Sequence, residues 1–161
     1  MGEKIHHFKK YSIVDGNVRF QLDMSRLEGQ FNKAQYELDS MVMTSMVPFM
    51  PHGSGVFVNR TLIESRSMAG SGRVCAAAGP FGRFLYKGKT MVDSATGSPW
   101  ARPAAKKVLV SQYSGKTNAR EDLTFSNSKA QPEWFEAAKR VDGAKWVRKV
   151  KRIAGGGANG K

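Results

Sequence analysis

Apolar and polar residues alternate over residues 18–22, where Val18, Phe20 and Leu22 are separated by Arg19 and Gln21. That is the period of a half-buried strand. Residues 11–14 are also β-prone, and Asp15-Gly16-Asn17 stands between the two runs, which predicts a hairpin. The period then changes. Leu27, Phe31, Ala34, Leu38, Met41, Val42 and Ser45 recur at steps of three and four, so they share one face of a helix. Ser25 and Glu28 have the spacing of a capping box at its start. Pro48 ends it, because the residue before a proline leaves the helical region. Met41, Met43 and Met46 at this spacing read as core filler rather than as a binding groove.

Residues 48–55 are a turn-rich connection. Residues 56–67 suit a strand or a short helix, and the pattern does not choose between them. Residues 73–78 read as a strand closed by Gly79-Pro80. Further strands are predicted at residues 84–91, at residues 108–110 and at residues 123–125. Residues 87–131 are otherwise rich in Gly, Ser, Thr, Lys and Asn, a long excursion of the kind that carries function or stays unstructured. Pro132 stands at the first position of a last helical region whose apolar face is Trp134, Phe135, Ala138 and Val141. Asp142-Gly143 breaks or kinks it, and Asp142 caps a final helix with the stripe Trp146, Val150 and Ile153.

These elements predict a mixture of helices and short strands around a long, poorly structured excursion over about residues 87–131. The expected organisation is a mobile basic N-terminus (1–10), one domain (11–154) and a flexible Gly-rich tail (155–161). A length of 161 residues with 40% hydrophobic content suits a single core.

Charge changes the picture. The chain holds 26 Lys and Arg against 13 Asp and Glu, a net charge of +13. Such a balance favours a polyanionic neighbour: nucleic acid, headgroups or an acidic protein surface. The excess is concentrated at the C-terminal end, where residues 139–161 contain eight basic residues and one acid, Asp142. Lys145, Arg148, Lys149, Lys151 and Arg152 are the candidates for contact with DNA or an acidic partner.

Candidate chemistry is sparse. The one cysteine, Cys75, sits in an apolar run and reads as a buried, inert side chain. His6, His7 and His52 lack a completed ligand set, so no metal is expected. Neither Gly53-Ser54-Gly55 nor Gly70-Ser71-Gly72 fits a phosphate-binding loop. Glu121-Asp122 and Glu133/Glu136 are the close acid groupings, and the second pair suits the start of a helix. A small hydrolase using Glu133 or Glu136 has little support, and no cofactor is implied. The N-terminus lacks the apolar stretch of a secretory signal, and no run approaches the ~20 apolar residues of a membrane span. The expectation is a soluble protein made in the cytosol.

Residues 79–102 interleave Phe81, Phe84, Tyr86 and Trp100 with Arg83, Lys87, Lys89 and Arg102. Together with three further blocks they resemble the minor capsid proteins of long, flexible-tailed (siphovirus-type) bacteriophages, and more specifically their neck, or tail-completion, components. The first block is residues 18–28 and the second residues 46–62. In the third, residues 80–89 stand where the family has a Pro-Tyr-Ala-Arg run followed by Tyr and Gly. It continues through Met91-Val92-Asp93 and Gly97-Ser98-Pro99-Trp100. The fourth is Leu123-Thr124-Phe125-Ser126 followed by Trp134-Phe135-Glu136 and Trp146. Phe81-Gly82 replaces a commoner Tyr-Ala pair, and Met50-Pro51-His52 replaces an Arg-Thr type turn.

The resemblance implies an α+β fold, with an N-terminal helix packed on a small antiparallel sheet, a long extended arm over about residues 87–131 and C-terminal helices, in a non-enzymatic subunit of a six-fold or twelve-fold ring in the virion neck. Such a ring lies between a portal-side connector or stopper protein and the tail terminator or tail tube. It surrounds the exit channel and touches viral DNA non-specifically, with no membrane involved. Within that reading, Lys87, Lys89, Met91, Trp100, Arg102, Leu109, Tyr113 and Phe125 are the subunit-interface candidates. The alternative is a free nucleic-acid-binding protein that uses the C-terminal helix.

Overall fold

The computed structural model describes residues 5–53, 55–100 and 102–155. The expected terminal segments therefore fall partly outside the described residues, at 1–4 and 156–161. The chain runs β1 (Tyr11–Asp15), β2 (Val18–Leu22), α1 (Ser25–Met46), a 3-10 turn (Val47–Phe49), α2 (Val56–Met68), α3 (Gly82–Lys87), β3 (Met91–Asp93), β4 (Lys107–Leu109), a second 3-10 turn (Val110–Gln112) and α4 (Trp134–Ala154). The architecture is α+β, with two separate two-stranded antiparallel sheets, β1–β2 and β3–β4.

The hairpin forms as the alternation predicts. Tyr11 pairs with Leu22 and Asp15 with Val18, which leaves Gly16-Asn17 as a two-residue loop. Gly16 has φ +55°, the positive value that a tight hairpin turn needs at its first central position. Its packing differs from expectation. Every residue of both strands is exposed rather than half-buried, because among the described residues no other element packs closely over the sheet. The approach to it is held in place from Ile5 onward. Asn32 accepts from the His6 amide at 3.3 Å and donates to the His6 carbonyl at 3.0 Å. The Phe8 ring meets Phe31 edge-on.

α1 begins without the expected capping box. Ser25 donates its amide to Asp23 Oδ1 at 2.9 Å, and Glu28 accepts from the Phe8 amide instead of turning back to cap. The main packing partner of α1 is α4 rather than a sheet. Val42, Met46, Met50, Val58, Trp134, Ala138 and Trp146 form the core, so Met46 is core filler as expected. Trp134 is fully buried. Its ring meets Tyr86 and Phe57 edge-on, with centroids 4.9 and 5.8 Å away, and its Nε1 donates to the Ala76 carbonyl at 2.7 Å.

That bond explains one departure from the sequence pattern. Residues 73–78 are irregular rather than a strand. Their backbone groups are bound by side chains: Ser65 Oγ donates to the Cys75 carbonyl at 2.9 Å, and the Ala78 amide donates to Thr61 Oγ1 at 3.1 Å. Three of the backbone groups that a ladder would use are thereby taken. Residues 56–67 resolve as the helix α2. The strand expected at residues 84–91 is α3 followed by β3, with Gly88 at φ +64° closing the helix in the left-handed cap that glycine adopts without strain. Residues 123–125 form no strand; Asp122 makes an isolated bridge with Lys89.

The C-terminal region is one continuous helix, α4, and not two. Gly143 lies inside it, and Asp142 caps nothing. Pro132 precedes the cap rather than opening the first turn; the cap is Glu133, in the left-handed region at φ +52°. Val141, expected on the apolar face, is exposed.

Candidate interaction surfaces

The excursion 87–131 folds back on itself instead of extending as an arm. At its base the Thr90 amide donates to the Glu121 carbonyl, and Leu123 to Gly88; at its end Gln131 donates to Phe49, and Glu133 to Tyr86. The interface candidates fall into three groups within it.

The first group forms ion pairs within the subunit, the cation of each at least partly exposed. Lys87 Nζ lies 2.7 Å from Glu133 Oε1, which raises the lysine pKa and lowers that of the glutamate. Lys89 lies 2.6 Å from Asp122 and 3.3 Å from Glu121, and these hydrogen bonds raise its pKa. Arg102 Nε lies 3.1 Å from Asp93 Oδ2. The second group, Met91, Leu109, Tyr113 and Phe125, is half-buried within the subunit. Leu109 helps line a hollow of about 210 Å³ with Phe84 and Val108.

Trp100 stands alone in the third group. It is 88% exposed, yet its loop is well tied. Buried Asp93 accepts from the amides of Ala95 (2.8 Å) and Thr96 (3.4 Å) as well as from Arg102. The Gly97 amide donates to the Asp93 carbonyl, and the Asp93 amide to the Ser98 carbonyl. The arginine, then the amides, hold the Asp93 carboxyl down at about 2. Thr117 Oγ1 reaches across to the Gly97 carbonyl at 2.6 Å. A large aromatic on an ordered loop keeps little conformational entropy to lose when a neighbour covers it.

The basic candidates lie on α4. At 100° per residue, Arg140, Arg148, Lys151 and Arg152 fall on the side opposite Trp146, and all four are exposed. Lys149 is half-buried. Lys145 is paired with Asp142 at 2.8 Å, and this bond, followed by one from Ser45, lowers the Asp142 pKa. Lys139 leans on Glu136 at 3.9 Å. Among the described residues, no carboxylate comes within ion-pair distance of Arg140, Arg148, Lys149, Lys151 or Arg152. Between residues 140 and 152 this row is about 18 Å long, from the ~1.5 Å rise per residue.

Sequence reasoning missed a third surface. The apolar side chains of the β1–β2 hairpin are bare: Ile13 is 61% exposed, Val18 69% and Phe20 57%. The alternation that predicted the strands is also the signal for this face, since it marks where apolar groups gather whether or not anything covers them.

The described residues contain no cluster of three metal-ligating side chains and no helix long and apolar enough to cross a membrane. Cys75 is half-buried, and burial raises its pKa. Glu133 and Glu136 are both exposed. Compared with protein families, curated proteins and solved structures, the chain matches none.

Proposed function

We propose that this chain is a structural, non-enzymatic subunit of the neck of a long-tailed bacteriophage. It forms a six-fold or twelve-fold ring that joins the portal-side connector or stopper protein to the tail terminator or tail tube around the DNA exit channel. The protein is made in the host cytoplasm and ends in the virion, with no cofactor and no membrane.

The observation that carries this reading is Trp100. Within the block that resembles the neck family, Asp93 fastens the turn that follows β3, and Trp100 beyond it presents a bare indole to solvent. A fully desolvated tryptophan is the kind of residue on which an interface depends, and a ring contact between unlike faces supplies a pocket for it in the next subunit. In this reading the outer row of α4 tolerates or holds the exiting DNA through phosphates, without reading sequence. Imaging of the native particle tests it. Density for the subunit in the neck is expected; a particle whose neck lacks it overturns the proposal.

A second reading rests on α4 alone. A row of cations without carboxylate partners suits a protein that binds nucleic acid in its free form. It requires the isolated chain to bind duplex DNA with an affinity that falls steeply with salt; weak binding that barely responds to salt rejects it.

A further inference from the structure

We infer that the β1–β2 hairpin is a self-association surface, on which two copies of this chain stack their hairpins face to face about a two-fold axis. Directly opposed residues of an antiparallel pair project to the same side. The register therefore places Tyr11 and Leu22, Ile13 and Phe20, and Asp15 and Val18 on one face, and Ser12 and Gln21, Val14 and Arg19 on the other. One face thus holds five apolar side chains, each between 39% and 69% exposed. The other is mostly polar. A lone two-stranded sheet is marginal in water and needs a layer against its apolar face; among the described residues this chain provides none.

Three features single out a second copy as that layer. The first is the arrangement of charge along the face. Asp15 lies at the tip, and Lys9, two residues before Tyr11 and just outside β1, lies beyond the base. Stacking two hairpins antiparallel puts the tip of each over the base of the other, so Asp15 of one copy meets Lys9 of the second, twice. The axis then passes at the Ser12–Gln21 level, so Ile13 and Phe20 of one copy pack over Tyr11 and Leu22 of the other.

The second feature is the local balance of charge. Residues 9–24 hold Lys9, Lys10 and Arg19 against Asp15 and Asp23, one positive charge in excess where the whole chain has +13. Lys10 and Asp23 already pair at 2.9 Å. Two copies meet here with far less repulsion than along α4.

The third feature is size. Five side chains of this kind, about half exposed, offer on the order of 500 Å² per copy. Two copies then bury on the order of 1,000 Å², enough for a weak, specific contact between sheets about 10 Å apart.

The inference concerns free subunits and is independent of the neck reading. Sedimentation velocity on the full chain, from about 1 μM to 1 mM, the range for a contact of this size, is expected to show a reversible monomer–dimer equilibrium. Phe20→Asp should leave a monomer at every concentration, with the thermal midpoint of the dilute, monomeric wild type. Should the aspartate disturb the hairpin, Phe20→Thr keeps a strand-forming residue and should weaken the dimer at least tenfold. Lys9→Asp alone and Asp15→Lys alone should each weaken it severalfold. An equimolar mixture of those two variants should associate, because each then carries the charges complementary to the other. A wild-type chain that stays monomeric overturns the inference. So does a dimer indifferent to Phe20→Asp, or one lost through Trp100→Ala instead. Single-variant mixtures that fail to recover association overturn the antiparallel arrangement.

Discussion

The guanidinium of Arg102 lies 3.1 Å from the carboxylate of Asp93, joining a side chain that is 63% exposed to one that is 1% exposed. Arg102 is tied to the end of β3 through that carboxylate. Its acceptor atoms also take the Ala95 and Thr96 amides, so the pair fixes the backbone that displays Trp100.

The Asp93 arrangement predicts an acid response. Its folded pKa, about 2, lies below the ordinary value of 3.8. A depressed carboxylate contributes stability above its unfolded pKa and loses it as the pH falls through the folded one. The loop should therefore hold at pH 5 and above, and release between about pH 4 and pH 2. The amide resonances of Ala95 and Thr96 should move together in that window. Asp93→Asn should abolish the transition and loosen the loop at neutral pH.

Trp100→Ala separates folding from assembly. A side chain 88% exposed carries little of the subunit's own stability, so the unfolding free energy should change by no more than about 0.5 kcal/mol. Particles built with the variant should lack a complete neck. A large loss of stability in the isolated chain would show that the indole packs within its own subunit.

Trp134 should behave in the opposite way. It is fully buried and bonded to the Ala76 carbonyl. Trp134→Ala should cost about 3–5 kcal/mol in denaturant unfolding. Trp134→Phe keeps most of the ring but leaves that carbonyl without its donor, at about 1–3 kcal/mol.

Gly88→Ala tests the junction between α3 and the excursion. Gly88 has φ +64°, and an added Cβ would stand 2.5 Å from Pro132 Cγ. Backbone strain and this clash together should destabilise the chain by about 1–3 kcal/mol, seen as a lowered thermal midpoint.

The outer row of α4 predicts a salt-dependent contact. Arg148→Glu with Arg152→Glu should weaken binding to duplex DNA uniformly across sequences. The slope of log affinity against log salt should fall by about 0.9 for each phosphate contact removed. An unchanged slope would mean that this row meets protein rather than DNA.

The hairpin, α1 and the helical character of residues 134–154 were legible because each has a clear period, of two or of 3.6. Residues 73–78 were not. Their apolar run resembles a strand, but their backbone partners are Thr61, Ser65 and Trp134, side chains that local pattern cannot place there. The two C-terminal helices expected from Asp142-Gly143 merged for a similar reason. Burial of Trp146 in the same core as Ala138 and Trp134 outweighs the ~1 kcal/mol that a glycine costs inside a helix. Of the interface candidates, the cations at 87, 89 and 102 looked as available as Trp100, because ion pairs across 9 to 46 residues leave no mark on local sequence.

By itself the sequence determined the α+β class, the hairpin turn at Gly16, the amphipathic faces of α1 and α4 and the excess of positive charge at the C-terminal end. These follow from local periodicity and composition. Tertiary structure alone decided which groups stay available. It paired Lys87, Lys89 and Arg102 with carboxylates of the same subunit, folded the 87–131 excursion back on the body, and left Trp100, the α4 row and the hairpin face bare. Exposure depends on what lies opposite a side chain, and that is set by the packing of distant segments.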